Sequence, residues 1–292
     1  RLKNAIEENK LDLFFSPYYK VPVFSDVSLI NSLFDVIYLM VEPYKSKIKN
    51  KIYIKNFIKI ALKKVKKTLT CSYSTKKDLI ENLSLPEEKI EVVYLSVGEE
   101  FKPQDTQKIL QVKNKYNIDR KYILYVGNFN PHKNVRNLIE AYKILPEKLK
   151  QEYILVLVGD NKSMVSQFIM SDKSDNYMVI ENVLDDDLPA FYSGAEIFVF
   201  PSLYEGFGLP PLESMACGCP VVSSNTSSMP EVLRDACLYF NPYDVEDIKE
   251  KMKTVLENNS LRNELIQKGL ERAKVYSSEK MVENILDIFK SI

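Results

Sequence analysis

An α/β protein with two parallel-sheet domains, the first of them incomplete, is the architecture this sequence predicts. Short runs rich in β-branched and aromatic residues alternate with amphipathic helical stretches along most of the chain. Most of those runs are continuously apolar rather than alternating, the pattern of strands buried on both faces. At 292 residues and 45% hydrophobic, the chain has material for two cores. No period of roughly 20 to 50 residues recurs, which excludes a solenoid.

In chain order, the expected strands lie at 11–15, 68–72, 90–94, 122–126, 153–158, 177–180, 197–200, 220–223 and 237–240. The chain opens in a helical pattern over 1–9. Helices are then expected at 46–67, 75–83, 106–116, 135–144, 163–170, 188–193, 210–217, 245–258, 261–275 and 279–289. Ser74 reads as a cap ahead of Lys76, Lys77 and Asp78, and Pro210 suits a first helical turn, where its missing N–H leaves no bond unmade. The stretch 96–106, with Gly98, Glu99, Glu100 and Pro103, reads as the boundary between domains. The expected division is therefore a partial first lobe over 1–103, a complete second lobe over 104–276 and a final helix over 277–292 that crosses back to the first. Three or four strands in the first hundred residues make an incomplete partner, so either that lobe is unusually small or residues upstream are absent from this chain.

Composition narrows the function. Forty basic and forty acidic residues cancel, so no global field draws in nucleic acid. Cys71, Cys217, Cys219 and Cys237 lack paired metal-ligand spacing and read as reduced, buried thiols of a cytoplasmic protein. With His132 as the one histidine, a zinc site or a Ser-His-Asp triad has little to work with. No apolar run approaches the roughly 18 residues of a membrane span, and no signal pattern opens the chain.

The segment from Pro201 to Glu213 carries the most chemistry. The strand at 197–200 delivers the chain to the carboxyl edge of a parallel sheet, where open α/β sheets bind ligands. Gly206 and Gly208 allow a tight bend that exposes N–H groups at a helix start, a cradle for phosphate oxygens. Glu213, placed in the first turn of that helix, can accept two hydrogen bonds from a vicinal diol such as a ribose, while Glu205 can hold hydroxyls of a sugar. A second strand-loop-helix, from Val126 to Asn134, offers Gly127 for close backbone approach and Lys133 as a point charge for a diphosphate. Neither segment matches Gly-x-Gly-x-x-Gly, which removes the main support for a dinucleotide oxidoreductase.

These residues resemble the retaining glycosyltransferases of family 4, a large family with two Rossmann-like lobes (the GT-B architecture) marked by Glu-x7-Glu within Glu-Gly-Phe-Gly-Leu-Pro. The similarity runs from about Asp12 to the C-terminus and is strongest over 122–134 and 198–231. It implies that Glu205 contacts the donor sugar, Glu213 the ribose and Lys133 the diphosphate, with Glu205 and Lys133 the catalytic pair. Gly127, Asn128, Gly206, Phe207, Gly208 and Leu209 would complete the donor site. It also implies a nucleoside diphosphate sugar as donor, mannose-like as a guess, and a saccharide or lipid-linked acceptor in polysaccharide synthesis, with no metal or other cofactor. Two positions depart from the pattern. Asn128 stands where many relatives carry arginine, and Phe34-Asp35 where they often carry His-Asp. A non-catalytic donor-binding subunit, completed by a partner chain, is accordingly the alternative. A phosphorylase of related architecture would need a pyridoxal-phosphate lysine that the sequence does not locate.

Other features have plainer readings. Between Pro43 and Lys77 there are twelve lysines and no acid, interleaved with apolar residues. The stretch 45–67 could contact the anionic inner face of a membrane, but an ordinary lobe helix with a solvated lysine face is favoured. Single-stranded nucleic acid is disfavoured by the scarcity of interleaved aromatics. His132 reads as a surface or hydrogen-bonding residue, Glu231 as a helix-capping one, and Asp185, Asp186 and Asp187 as a solvated acidic helix start rather than a metal site.

Overall fold

The computed structural model describes residues 2–22, 27–41, 59, 62–159 and 177–292. The expected helices at 46–67, over most of its length, and at 163–170 lie outside these residues, as does most of the basic stretch. Contacts divide the chain into two units: Arg1–Leu95 with Glu205–Phe207 and Glu279–Ile292, and Ser96–Tyr204 with Gly208–Ser278.

The first unit holds a parallel sheet of four strands in chain order, β1 (Leu13–Ser16), β2 (Ser28–Ser32), β3 (Lys67–Thr70) and β4 (Ile90–Val92). The sequence reading lacks β2. Its residues, Ser-Leu-Ile-Asn-Ser, break the apolar run, yet Asn31 is fully buried and its Oδ1 accepts from Thr68 Oγ1 on β3 at 2.9 Å. Polar side chains that find each other across strands can sit inside a sheet. The final helix, Ser278–Lys290, places Met281, Ile285, Ile288 and Phe289 on Ile30, Leu69 and Val93. Those four share one helical stripe, and the Phe289 ring lies 5.2 Å from that of Phe15. Ser72, rather than Ser74, caps the helix Tyr73–Leu83, accepting from Thr75 N at 3.0 Å, so the helix begins two residues earlier than expected.

In the second unit the strands are β5 (Lys121–Val126), β6 (Tyr153–Val158), β7 (Tyr177–Ile180), β8 (Ile197–Phe200), β9 (Val221–Ser224) and β10 (Cys237–Phe240), all parallel in the order β10-β9-β8-β5-β6-β7. The chain lays β5, β6 and β7 outward to one side, then returns to the other side of β5 with β8, β9 and β10. The order reverses between β5 and β8. Strands β6, β8 and β9 are buried along their whole length, which is why their sequences read as unbroken apolar runs or small residues. Buried phenols are anchored to backbone: Tyr122 donates to Phe191 O at 2.7 Å and Tyr142 to Tyr153 O at 2.9 Å. A short helix, Glu147–Glu152, has no counterpart in the sequence reading.

The division falls at Leu95/Ser96, eight residues before the expected 103/104. Residues 96–103 join the second unit because Val97 N donates to Tyr276 O at 3.0 Å and the Phe101 ring packs edge-on against Tyr192 at 6.0 Å.

Candidate functional site

In an open parallel sheet, two loops that leave adjacent strands in opposite directions open a crevice where the strand order reverses. The loops after β5 and β8 flank that reversal here, and they are the two segments that carry the candidate residues.

After β5 the backbone is built around glycine. Gly127 extends the ladder, its N–H donating to Val158 O at 2.9 Å, and it adopts φ +149, open mainly to glycine. Opposite it, a Cβ at Gly159 would come within 1.9 Å of Gly127 O, so the two backbones touch. The exposed Asn128 shapes the next turn, its Oδ1 accepting from Asn130 N at 3.2 Å and its carbonyl from Tyr125 Oη at 2.8 Å. The chain then makes a 3-10 turn, Pro131–Lys133, before the helix Val135–Lys143. Asn134, at φ 55, donates from Nδ2 to Pro201 O at 3.2 Å and Pro242 O at 2.7 Å, and Leu203 N donates to His132 O at 2.8 Å. The bonds to Pro201 and from Leu203 tie the β5 loop to the β8 loop, and the bond to Pro242 ties it to the segment after β10. Lys133 sets its ammonium 5.5 Å from the centroid of the Phe200 ring at the end of β8. His132 is buried, not at the surface, and burial followed by the charge of Lys133 lowers its pKa to about 4, so at neutral pH it is uncharged.

After β8 come Pro201, Ser202, Leu203 and Tyr204. Ser202 is buried, and its hydroxyl has no hydrogen-bond partner among the described residues. Gly208, at φ +95, precedes the helix Leu209–Ala216, and a Cβ there would lie 2.3 Å from Met229 Cε. The helix begins at Leu209, which puts Glu213 at its fifth residue and not in its first turn as expected. What holds Glu213 is therefore not a free helix-start N–H but the phenol of Tyr192, which donates to Oε2 at 2.8 Å. Burial raises the Glu213 carboxyl above its ordinary value, the Tyr192 bond opposes that, and the charge of Glu100 adds to it.

The middle of the motif groups differently. Glu205, Gly206 and Phe207 make their contacts with the first unit. Gly206 O accepts from Ser72 Oγ at 2.7 Å and Thr75 Oγ1 at 3.3 Å, and a Cβ on Gly206 would lie 1.9 Å from Phe34 O. Phe207 is buried with its ring 6.0 Å from that of Tyr94, while Glu205 is half-buried. Gly127, Asn128, Lys133, Gly208, Leu209 and Glu213 thus belong to one unit, and Glu205, Gly206 and Phe207 to the other. Phe34 and Asp35 follow β2 in the first unit, where Asp35 Oδ1 accepts from Ile37 N at 3.1 Å and starts a short helix, Ile37–Met40.

Asp187 corrects a further expectation. It is buried, and it accepts from Lys115 Nζ at 2.6 Å, Lys108 Nζ at 3.3 Å and Tyr116 Oη at 3.0 Å. It is a structural ion cluster that joins the helix Thr106–Lys115 to the helix Leu188–Gly194, with only Asp185 and Asp186 left exposed. Among the described residues no group of His, Cys, Asp and Glu could hold a metal ion, and no helix is long and apolar enough to cross a membrane. Sequence reading missed Tyr192 and Asn134. A tyrosine in an otherwise apolar helix face needs a partner for its hydroxyl, and that requirement was the available signal for Tyr192.

Comparison with known proteins bears on the family and the fold. Residues 106–272 match the family model of glycosyl transferases group 1. The O-antigen chain mannosyltransferase B of Escherichia coli is 34% identical over 243 residues, 82% of this chain and 64% of that protein. The O-antigen chain mannosyltransferase RfbU of Salmonella typhimurium is 32% identical over 209 residues, 70% of this chain and 55% of that one. The chain thus spans under two thirds of the length of either relative. Among solved structures, Anabaena Alr3699/HepE in complex with UDP-glucose superposes with a TM-score of 0.84 at 15% identity, covering 100% of this chain and 81% of that one. Sucrose-phosphate synthase from Thermosynechococcus elongatus gives 0.80 at 18%, covering 99% and 76%. The fold is the GT-B fold of these glycosyltransferases.

Proposed function

This chain belongs to glycosyl transferases group 1, and on that premise we propose that it moves a hexose from a nucleoside diphosphate donor to a hydroxyl of a saccharide or lipid-linked acceptor, with retention at the anomeric carbon. The observation that carries the reading is the convergence of both candidate loops on the reversal between β5 and β8. In this reading Lys133 and the main-chain N–H groups about Gly127 and Gly208 take up charge on the departing diphosphate, and Glu213 accepts from the ribose diol. The neutral imidazole of His132 leaves Lys133 as the local positive charge. Leu209 contributes backbone, and Asn128 shapes the loop without supplying a cation.

Mannose as the transferred sugar, and polysaccharide synthesis as the setting, follow the two O-antigen relatives. Transfer without a metal is part of the proposal, because Lys133 offers the charge a metal would otherwise bring; chelator-insensitive turnover is the expected outcome. Contact with an anionic membrane face through 45–67 is proposed from its lysines alone. Purified protein given a panel of nucleotide sugars with mannose-terminated acceptors should release nucleoside diphosphate and form an axial-configured product from a mannose donor. Donor binding without turnover under every acceptor condition would favour the non-catalytic subunit, the reading that Phe34 in place of histidine supports.

A further inference from the structure

Tyr192 carries an inference that rests on the donor-binding reading and deepens it. Its side chain is fully buried, with Phe101 at 6.0 Å and Phe198 at 5.4 Å between ring centroids, and its hydroxyl needs a partner there. Tyr122 and Tyr142, equally buried, meet that need with backbone carbonyls. Tyr192 spends its proton on Glu213 Oε2 at 2.8 Å. Oε1 of the same carboxylate accepts from no described residue. We propose that Tyr192 is the positioning residue of the donor site: by holding Oε2 it fixes the Glu213 carboxylate before any ligand arrives and leaves Oε1 to accept from the vicinal hydroxyls of the donor ribose.

Two physical consequences follow. A carboxylate has about four acceptor directions, so one tethered oxygen still leaves enough for a diol, and ordering it in advance removes part of the entropy lost on binding. The same bond works against the rise that burial imposes on the Glu213 carboxyl. The titratable groups that face Glu213 are Tyr192 from the helix Leu188–Gly194, Glu100 from the segment before Thr106, and Cys217 at the end of its own helix. Burial and Glu100 push the carboxyl up, and Cys217, itself raised to about 12, stays neutral. Only the phenol opposes the rise. Removing the hydroxyl therefore moves protonation of Glu213 to higher pH, and diol recognition is lost there first.

Tyr192→Phe deletes the hydroxyl while keeping the ring contacts. The probes are ADP, GDP, UDP and CDP, the tightest binder then being compared with its 2′-deoxy and 3′-deoxy counterparts, by titration calorimetry from pH 5 to 8. Wild type is expected to prefer the ribose form, and Tyr192→Phe to bind it about tenfold more weakly at neutral pH, to lose the preference over the deoxy forms, and to raise the pH midpoint of affinity. In the Glu213→Ala background the same change should have no further effect on affinity. A wild type that binds none of the four overturns the donor-binding reading itself. A wild type that binds with ribose preference while Tyr192→Phe keeps that preference and its midpoint, or weakens binding equally with Glu213 absent, overturns the positioning role alone. If Tyr192→Phe does not fold, Tyr192→Met supplies the same comparison.

Discussion

The single histidine makes one consequence of this fold unusually clean to measure. Burial and the adjacent Lys133 ammonium hold the His132 imidazole at a pKa of about 4, against 6.5 for an exposed histidine. Above pH 6.5 neither the folded nor the unfolded chain carries a proton there, so its contribution to stability is fully present. As pH falls from 6.5 toward 4 the unfolded chain binds a proton that the folded chain refuses, and stability is lost; below about 4 the loss is complete. Each pH unit is worth about 1.4 kcal/mol, which gives about 3 kcal/mol over the window and about 2 once screening by the solvent that reaches the ring edge is allowed for. Selective carbon-13 labelling of histidine is expected to give an imidazole signal at its neutral position near pH 6 and half-way through its shift near pH 4. Urea unfolding of wild type and His132→Gln across pH 4 to 7 should show the two stability curves converging by about 2 kcal/mol toward the acid end. A midpoint at or above 6 in the folded protein, or parallel curves for the two proteins, would refute the reasoning.

Other consequences are simpler to test. Asp187→Asn should lower stability by about 2 kcal/mol, seen as a shifted urea midpoint at constant slope, because it strips the charge from a buried acceptor of two lysines and a tyrosine. Burial pushes the Asp187 carboxyl up, but the bonds from Lys115, Tyr116 and Lys108 bring it below its ordinary value, so this stability is present above about pH 4 and lost as pH falls through the lower folded value. Gly208→Ala should cost about 1 to 3 kcal/mol in thermal unfolding, since φ +95 and the nearby Met229 Cε both oppose a methyl; an unchanged transition would mean that the loop relaxes freely. All four cysteines are buried, and burial raises Cys217, Cys219 and Cys237 to about 12. A thiol reagent at pH 8 is expected to label none within minutes and four once guanidinium is added.

What the sequence made legible follows from how each element is stabilised. Strands β6, β7, β8 and β10 appear at their expected limits because their residues are apolar and their ends fall at turns. Strand β2 escaped because its stabilisation is a polar pair, Asn31 with Thr68, that exists only once the sheet is assembled. The loops of the candidate site were readable from Gly127, Gly208 and the proline-started helix, since backbone angles limit the residue types there. Their fastening was not. Asn134 reaches carbonyls 67 and 108 positions away, and Tyr192 reaches a carboxylate 21 positions on; no local pattern records either bond. Asp187 misled for the same reason, its lysines lying more than 70 positions upstream.

The central claim is that the β5 and β8 loops of the second unit grip an activated sugar through its diphosphate and ribose. Calorimetric titration of the preferred nucleotide sugar into wild type, Lys133→Ala and Glu213→Ala tests it most directly. The account predicts saturable one-to-one binding to wild type, with each variant folded and at least about tenfold weaker. Wild-type affinity in both variants, or a folded wild type that binds no nucleotide sugar, would contradict it.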